Sequence, residues 1–350
     1  MAEDPNHPER IQFEEGKNID RFIVYKKIGS GGYGDIYAVH DTEYGDQLCA
    51  MKVEFLCSEK QGLLDELEIM KHIQGSPYFP RLIADGEFED FRYLVMELLG
   101  PSISTMRRAL NHRHYTLYST LKISIEMLKT IKAFHKRGYI HRDIKPGNFL
   151  IKPDANTPIV LIDFGLSETY IDPKTKKHIP PDPDAGFTGT CRYASLHAHE
   201  EKQLSRRDDL FSWFYTLIEL VEGKVPWPGS RDRELTVEMK KSMKAPELCR
   251  SLTPEFCDIY KYIKSIKFKE KPKYGWIKTQ IEGAIKKLNV ADERYDWELL
   301  SQFKIESISL ISLDFNNREV FYSSEFQPEL DSSSKSSYSN PGCTAHCLIA

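Results

Sequence analysis

An α+β fold is predicted, with a small β-rich region carrying one helix followed by a large helical region. Three observations carry that reading. From Arg21 to Met96 the chain runs through short β-branched and aromatic stretches, among them RFIVYKKI, LCAMKVEF and FRYLVME, which suit an antiparallel sheet. One stretch, from about Lys60 to Ile73, interrupts them with Leu63, Leu64, Leu67 and Met70 at helical spacing. After Gly100 the balance turns helical: Leu121, Ile125, Leu128, Ile131 and Phe134 form one stripe, and Gly138 stands where a helix C-cap belongs.

The remaining elements follow in order. Residues 1–20 read as a loose polar leader, 21–97 as the small lobe, about 100–295 as the large lobe and 296–350 as a C-terminal extension. Further helices are expected near Asp208–Glu222, Pro254–Ile266 and Ile277–Leu288. The run Leu210 to Gly223 is too short to span a bilayer and carries Glu219, so it reads as a buried helix. Asp331 to Gly342 is Ser-rich and of low complexity, a composition that favours disorder.

Composition narrows the function. The 350 residues are 40% hydrophobic and 29% charged, enough for a substantial core. A net charge of −4 argues against nucleic acid as the main partner. No apolar stretch resembling a secretory signal stands near Met1. The seven cysteines are scattered and odd in number, without metal-finger spacing, as expected of reduced thiols in a cytoplasmic protein.

Chemistry enters with an ordered set of motifs. GSGGYG supplies Gly29, Gly31 and Gly34, a loop whose backbone N–H groups can approach phosphate oxygens. A dinucleotide fingerprint would open a helix, whereas here DIYAVH continues as a strand. Lys52 lies on the next strand; alone it reads as a surface cation. With Glu66 on the following helix it could be held against the α- and β-phosphates, and Glu68 is a rival on another face. In HRDIKPGNFL, Asp143 is placed to orient a hydroxyl nucleophile and Lys145 to neutralise a moving phosphoryl group. Asn148, five residues after Asp143, offers an amide oxygen to Mg²⁺. Asp163, in LIDFG at a strand end, offers a carboxylate to the same metal. Each motif has a dull alternative when taken singly. Together, in this order, they predict the bilobal eukaryotic protein-kinase fold, with ATP and Mg²⁺ as cofactors.

From Phe22 to about Asn289 the sequence resembles the casein kinase I superfamily, through MELLGPS, HRDIKPGNFL, TGTCRYAS and SRRDDL. GFTGTCRYAS, DDLFSWFYTLIEL and ERYDWELL look most like its tau-tubulin kinase branch. The resemblance implies a serine/threonine kinase acting on acidic or already phosphorylated proteins. It makes Met96 the gatekeeper and Glu97 to Leu99 the adenine-binding hinge. Ile28, Ile36, Ala50, Leu150 and Ile162 become the lining of the nucleotide pocket. Asp209 becomes the brace of the catalytic loop, and Arg192 a residue of a substrate-anion site. The second basic residue of that site falls near Glu238, a charge reversal. Arg231, Arg233, Lys240 and Lys241 lie close by, and the plain reading of each is a solvated helix residue. DPKTKKH adds positive charge to the activation segment.

The competing reading is a pseudokinase scaffold, but the sequence keeps Lys52, Asp143 and Asp163, which such proteins typically lose. A small-molecule kinase is a third reading, disfavoured by TGTCRYAS and the large helical region. Cys347-Leu348-Ile349-Ala350 fits a prenylation motif, with Cys343 as a palmitoyl acceptor, which predicts membrane association of an otherwise cytoplasmic monomer.

Overall fold

The structure, a computed structural model, describes residues 12–31, 34–45, 47–58, 61–152, 157–291 and 293–299. The Ser-rich stretch and both lipidation candidates, Cys343 and Cys347, lie outside the described residues. The described residues form two compact units, 12–63 with 83–98, and 64–82 with 99–299.

The first unit contains β1 (Asn18–Ile19), β2 (Phe22–Gly31), β3 (Gly34–Asp41) and β4 (Gln47–Phe55). The helix α1 (Gly62–Ile73) begins in it, and β5 (Leu82–Phe88) and β6 (Phe91–Glu97) complete it. The six strands form one sheet in the order β1-β2-β3-β4-β6-β5. Strand alternation sorts the side chains into two sets. Tyr37, Val39, Met51, Val53, Tyr93 and Val95 fill one core with Phe22 and Val24. The opposite parity carries a second cluster, Ile28, Ala38 and Ala50 packed with Ile36 and Met96. Gly34 has φ +129°, and a Cβ there would stand 1.9 Å from the Val53 carbonyl oxygen, so no other residue fits the turn from β2 into β3.

The second unit takes in most of α1, which bonds there through Glu66 and through the His72 carbonyl, an acceptor for Arg137. Its helices are α2 (Ile103–Ala109), α3 (Leu117–Lys136), α4 (Leu196–His199), α5 (Arg206–Glu222), α6 (Arg233–Ser242), α7 (Ala245–Leu248), α8 (Glu255–Ser265) and α9 (Tyr274–Leu288). Two short ribbons join them: β7 (Tyr139–Ile140) pairs with β10 (Glu168–Thr169), and β8 (Phe149–Ile151) with β9 (Ile159–Leu161). The expected α3 stripe from Leu121 to Phe134 is buried. Gly138, at φ +91°, follows the helix end as its left-handed exit. The α5 run is buried along almost its whole length, with Trp213 donating to the Ser124 carbonyl of α3.

One expectation fails here. Leu64 is exposed, and Ile69 and Ile73 are buried on the α1 stripe with Leu63, Leu67 and Met70. The four-residue pattern placed Leu64 one position off the buried face.

Beyond α9 a 3₁₀ turn, Asp296–Leu299, returns to the start of α3. The Asp296 carboxylate accepts from the Thr116 N–H at 2.6 Å and its hydroxyl at 2.8 Å, and Trp297 is buried edge-on against Tyr115. Among the described residues no helix is long and apolar enough to cross a membrane, and the cysteines are free thiols.

Candidate active site

The HRD stretch is built around Asp209 near the start of α5. Its Oδ2 accepts from the His141 N–H at 2.8 Å and pairs with His135 Nε2 at 2.8 Å; its Oδ1 accepts from the Arg142 N–H at 2.9 Å. Burial alone would raise the Asp209 pKa. The bonds from His135 and His141 outweigh it and hold the carboxyl below its ordinary value. Burial pushes the His135 imidazolium down as well, so His135 is a neutral donor and its contact with Asp209 is a hydrogen bond rather than an ion pair. With its N–H so fixed, Arg142 adopts φ +67°, a left-handed conformation that a non-glycine residue keeps only under constraint. Its side chain donates to the Leu166 carbonyl at 2.6 Å and to Glu168 at 2.6 Å.

Asp143 is buried and surrounded. Its Oδ1 accepts from the Thr190 N–H at 2.9 Å and the Thr190 hydroxyl at 2.7 Å. Its Oδ2 faces Lys145 Nζ at 2.9 Å. Asn148 Nδ2 donates to the Asp143 carbonyl at 2.9 Å, so the amide is oriented and its oxygen is left as a candidate metal ligand. The turn carrying Thr190 can approach only because Gly189 has φ +98°; a Cβ there would lie 2.4 Å from the Arg142 carbonyl oxygen.

Asp163 follows β9 and also has positive φ, at +66°. The Ile162 N–H donates to the Asn148 carbonyl at 3.0 Å, which ties the segment leading into Asp163 to the catalytic loop. The ring of Phe164, next in line, stacks on Phe134 with centroids 5.2 Å apart, and its N–H donates to Glu66 Oε1 at 3.2 Å. Glu66 is therefore the buried acid on α1, whereas Glu68 is exposed beside Lys71. A carboxylate and an amide oxygen are hard donors suited to Mg²⁺, which completes its shell with water and phosphate oxygens.

In the first unit, Lys52 is buried on β4, opposite Ile36 and Leu94. By alternation it shares the sheet face of Ala50, Ala38, Ile36 and Met96. Gly29 pairs with Ile36 and Gly31 with Gly34 in the β2–β3 hairpin, and Glu97 pairs with Cys49 at the end of β6. Leu99 is buried, and Leu150 bridges to Ser102; these two and Ile162 belong to the second unit.

A family model of the protein kinase domain matches residues 22–288. The chain belongs to the protein kinase family. A Dictyostelium discoideum protein described as a probable serine/threonine-protein kinase is 38% identical over 295 residues, 83% of this chain. This kinase chain spans 59% of that relative's length.

One site expectation needs correction. Lys240 is not solvated: it is buried, and its Nζ donates to the carbonyls of Cys191 and Ala194. The cause is tertiary, because the turn after Thr190 packs over the end of α6. Arg233 is exposed, as expected, and lies over the Phe187 ring at 4.5 Å while pairing with Glu201 at 3.3 Å. Arg192 is half-exposed, but its guanidinium is engaged by buried Glu219 at 3.2 Å. Glu219 also takes Arg107 at 3.4 Å and the Tyr193 hydroxyl. Sequence reading missed the role of Glu219. The available signal was a carboxylate within the apolar run of α5, which needs partners to be buried.

Proposed function

We propose that this kinase is a protein serine/threonine kinase that transfers the ATP γ-phosphoryl group. The observation that carries the reading is the four-part arrangement at Asp143, held by Thr190, faced by Lys145 and followed by an oriented Asn148. Asp143 orients the substrate hydroxyl and takes its proton as the bond to phosphorus forms. Lys145 offsets the charge that develops on the transferred group. Lys52 and the glycine loop of the first unit serve the phosphates. Ile28, Ile36, Ala50 and Met96, with the Glu97 backbone, are that unit's apolar set for adenine. Asn148 and Asp163 would hold Mg²⁺, which when bound would neutralise phosphate charge. Most of the rate gain comes from positioning and electrostatics.

The finer placement, in the casein kinase I superfamily and its tau-tubulin branch, is supported by the motifs quoted above. The Dictyostelium relative's description agrees with serine or threonine as the acceptor. Acidic protein substrates fit the exposed lysines at 174, 176 and 177. Priming by phosphate through Arg192 would have to compete with Glu219, which pairs with that side chain and with Arg107. The scaffold alternative has no missing residue in its favour.

The test is transfer of labelled phosphate from ATP·Mg²⁺ to casein and to an acidic serine peptide, with Asp143→Asn alongside. Incorporation by the wild type that drops on the order of 10²–10⁴-fold in the variant is expected. Equal silence of both proteins while ATP still binds would favour the scaffold.

A further inference from the structure

The Lys240 ammonium carries three hydrogens and meets three acceptors: the Cys191 carbonyl at 2.9 Å, the Ala194 carbonyl at 2.8 Å and His199 Nε2 at 3.2 Å. Nζ also stands 5.0 Å from the ring centroids of both Tyr215 and Trp227, whose faces attract a cation. Among the described residues no carboxylate contacts it. The environment is thus a cation site built of carbonyls and aromatic faces, filled by the chain's own lysine.

The two carbonyls belong to the turn that reaches the catalytic aspartate. The N–H groups of Tyr193 and Ala194 both donate to the Thr190 carbonyl at 2.9 Å. Thr190 in turn donates twice to Asp143 Oδ1. Trp227 Nε1 takes the intervening Arg192 carbonyl at 2.8 Å, and Ser195, at the turn's far end, is held by Asp208 at 2.8 Å. Side chains of α6 and of the loop before it therefore fix the carbonyls of Cys191, Arg192 and Ala194, with Lys240 holding two of these three.

We infer that Lys240 is a positioning residue for phosphoryl transfer, an internal cation that sets the Thr190–Ala194 turn and, through Thr190, the orientation of Asp143. The inference rests on the kinase reading for its effect on turnover, but not for its effect on the turn.

The groups facing Lys240 define its pH behaviour. His199 faces it from α4, Cys191 from the turn and Tyr215 from α5; Arg233 lies on α6 itself. Burial, then the Lys240 and Arg233 charges, push His199 down to about 4, so it stays a neutral acceptor. Burial pushes Lys240 down to about 7. Above that pH the ammonium gives up its third hydrogen. Between about 7 and the ordinary lysine value of 10.5 the unfolded chain binds the extra proton, so this lysine makes global stability rise with pH, and an opening of the turn that hydrates Lys240 becomes costlier in the same window. A side chain that merely filled space would produce no such trend.

The experiment compares full-length wild type with Lys240→Met, of similar reach but without hydrogens to donate, and with Lys240→Arg. Amide hydrogen exchange across residues 190–199, corrected for intrinsic rates, is followed from pH 6 to 9 with peptide kinetics in parallel. Expected in the Met variant are faster exchange confined to the turn and a kcat/KM for peptide lower by about 10–100-fold. The KM for ATP stays near the wild-type value. In wild type the corrected exchange of the turn slows as pH rises above about 7, a trend that Lys240→Met and the permanently charged Lys240→Arg both lack. Unchanged exchange in the Met variant, or the same slowing in Lys240→Arg, overturns the inference. Should the Met variant not fold, a wild-type turn whose exchange is independent of pH overturns it equally. A wild type silent towards peptide would sink the kinase reading alone, since hydrogen exchange needs no turnover.

Discussion

Asp209 and Glu219 are both buried carboxylates on α5, and they hold their surroundings by different means. Asp209 takes backbone N–H groups of His141 and Arg142, with neutral His135 as a third donor. Glu219 takes side chains: Arg107, Arg192 and Tyr193. A backbone grip fixes the chain path whatever the gripped side chains are. A side-chain grip fixes those side chains, and fails piecemeal as each partner changes. The first suits a loop whose geometry must not vary, the second a region whose recognition can be tuned.

The harshest way to break the backbone grip is Asp209→Ala, which leaves the His141 and Arg142 N–H groups buried without an acceptor. A loss of about 3 kcal/mol in unfolding free energy is expected by denaturant titration. Peptide transfer should drop by about 100-fold, since the loop carrying Asp143 is misplaced. A variant of wild-type stability and rate would show that the loop path is set elsewhere.

Glu219→Gln breaks the side-chain grip more gently. It removes the counter-charge of two arginines and should lower stability by about 2 kcal/mol without displacing the catalytic loop. It also releases Arg192. Added inorganic phosphate should then raise the melting temperature of the variant more than that of wild type. Equal shifts would mean that Glu219 does not mask an anion site.

The smallest effect sharpens the contrast where no carboxylate is present. With the His199 pKa held near 4, the unfolded chain binds a proton between about 6.5 and 4 that the folded chain does not, so stability falls as pH drops through that window. His199→Asn, which does not titrate, should flatten that slope. Urea midpoints at pH 7 and pH 4.5 measure it, and an unaltered slope would remove His199 from the account.

Legibility in the sequence followed the same division. Asp143, Lys145, Asn148 and Asp163 sit in contiguous motifs, because the backbone around them must follow one path, and Asp209 carried the brace into a quotable string. The buried faces of α3 and α5 were readable from helical periodicity. Lys240 was not, since local sequence shows a lysine on a polar helix, and only the packing of residues 191–194 over it makes the position interior. The same limit applies to Arg192. Its charge is visible, but the carboxylate that pairs with it comes from a helix 27 positions away in the chain. Choosing Glu66 over Glu68 required knowing which α1 face is buried, a choice that the exposed Leu64 shows to be finely balanced.

The turn at Asp296 sets where this kinase can be cut. The family match stops at residue 288, yet α3, the longest helix among the described residues, receives its N-terminal Asp296 contacts, and Tyr115 just before it the Trp297 packing, from residues beyond that point. A fragment ended at Leu288 would expose Tyr115 and leave the Thr116 N–H without its carboxylate. The portable unit, the piece that could be moved into another chain with its fold intact, therefore includes at least Asp296 and Trp297.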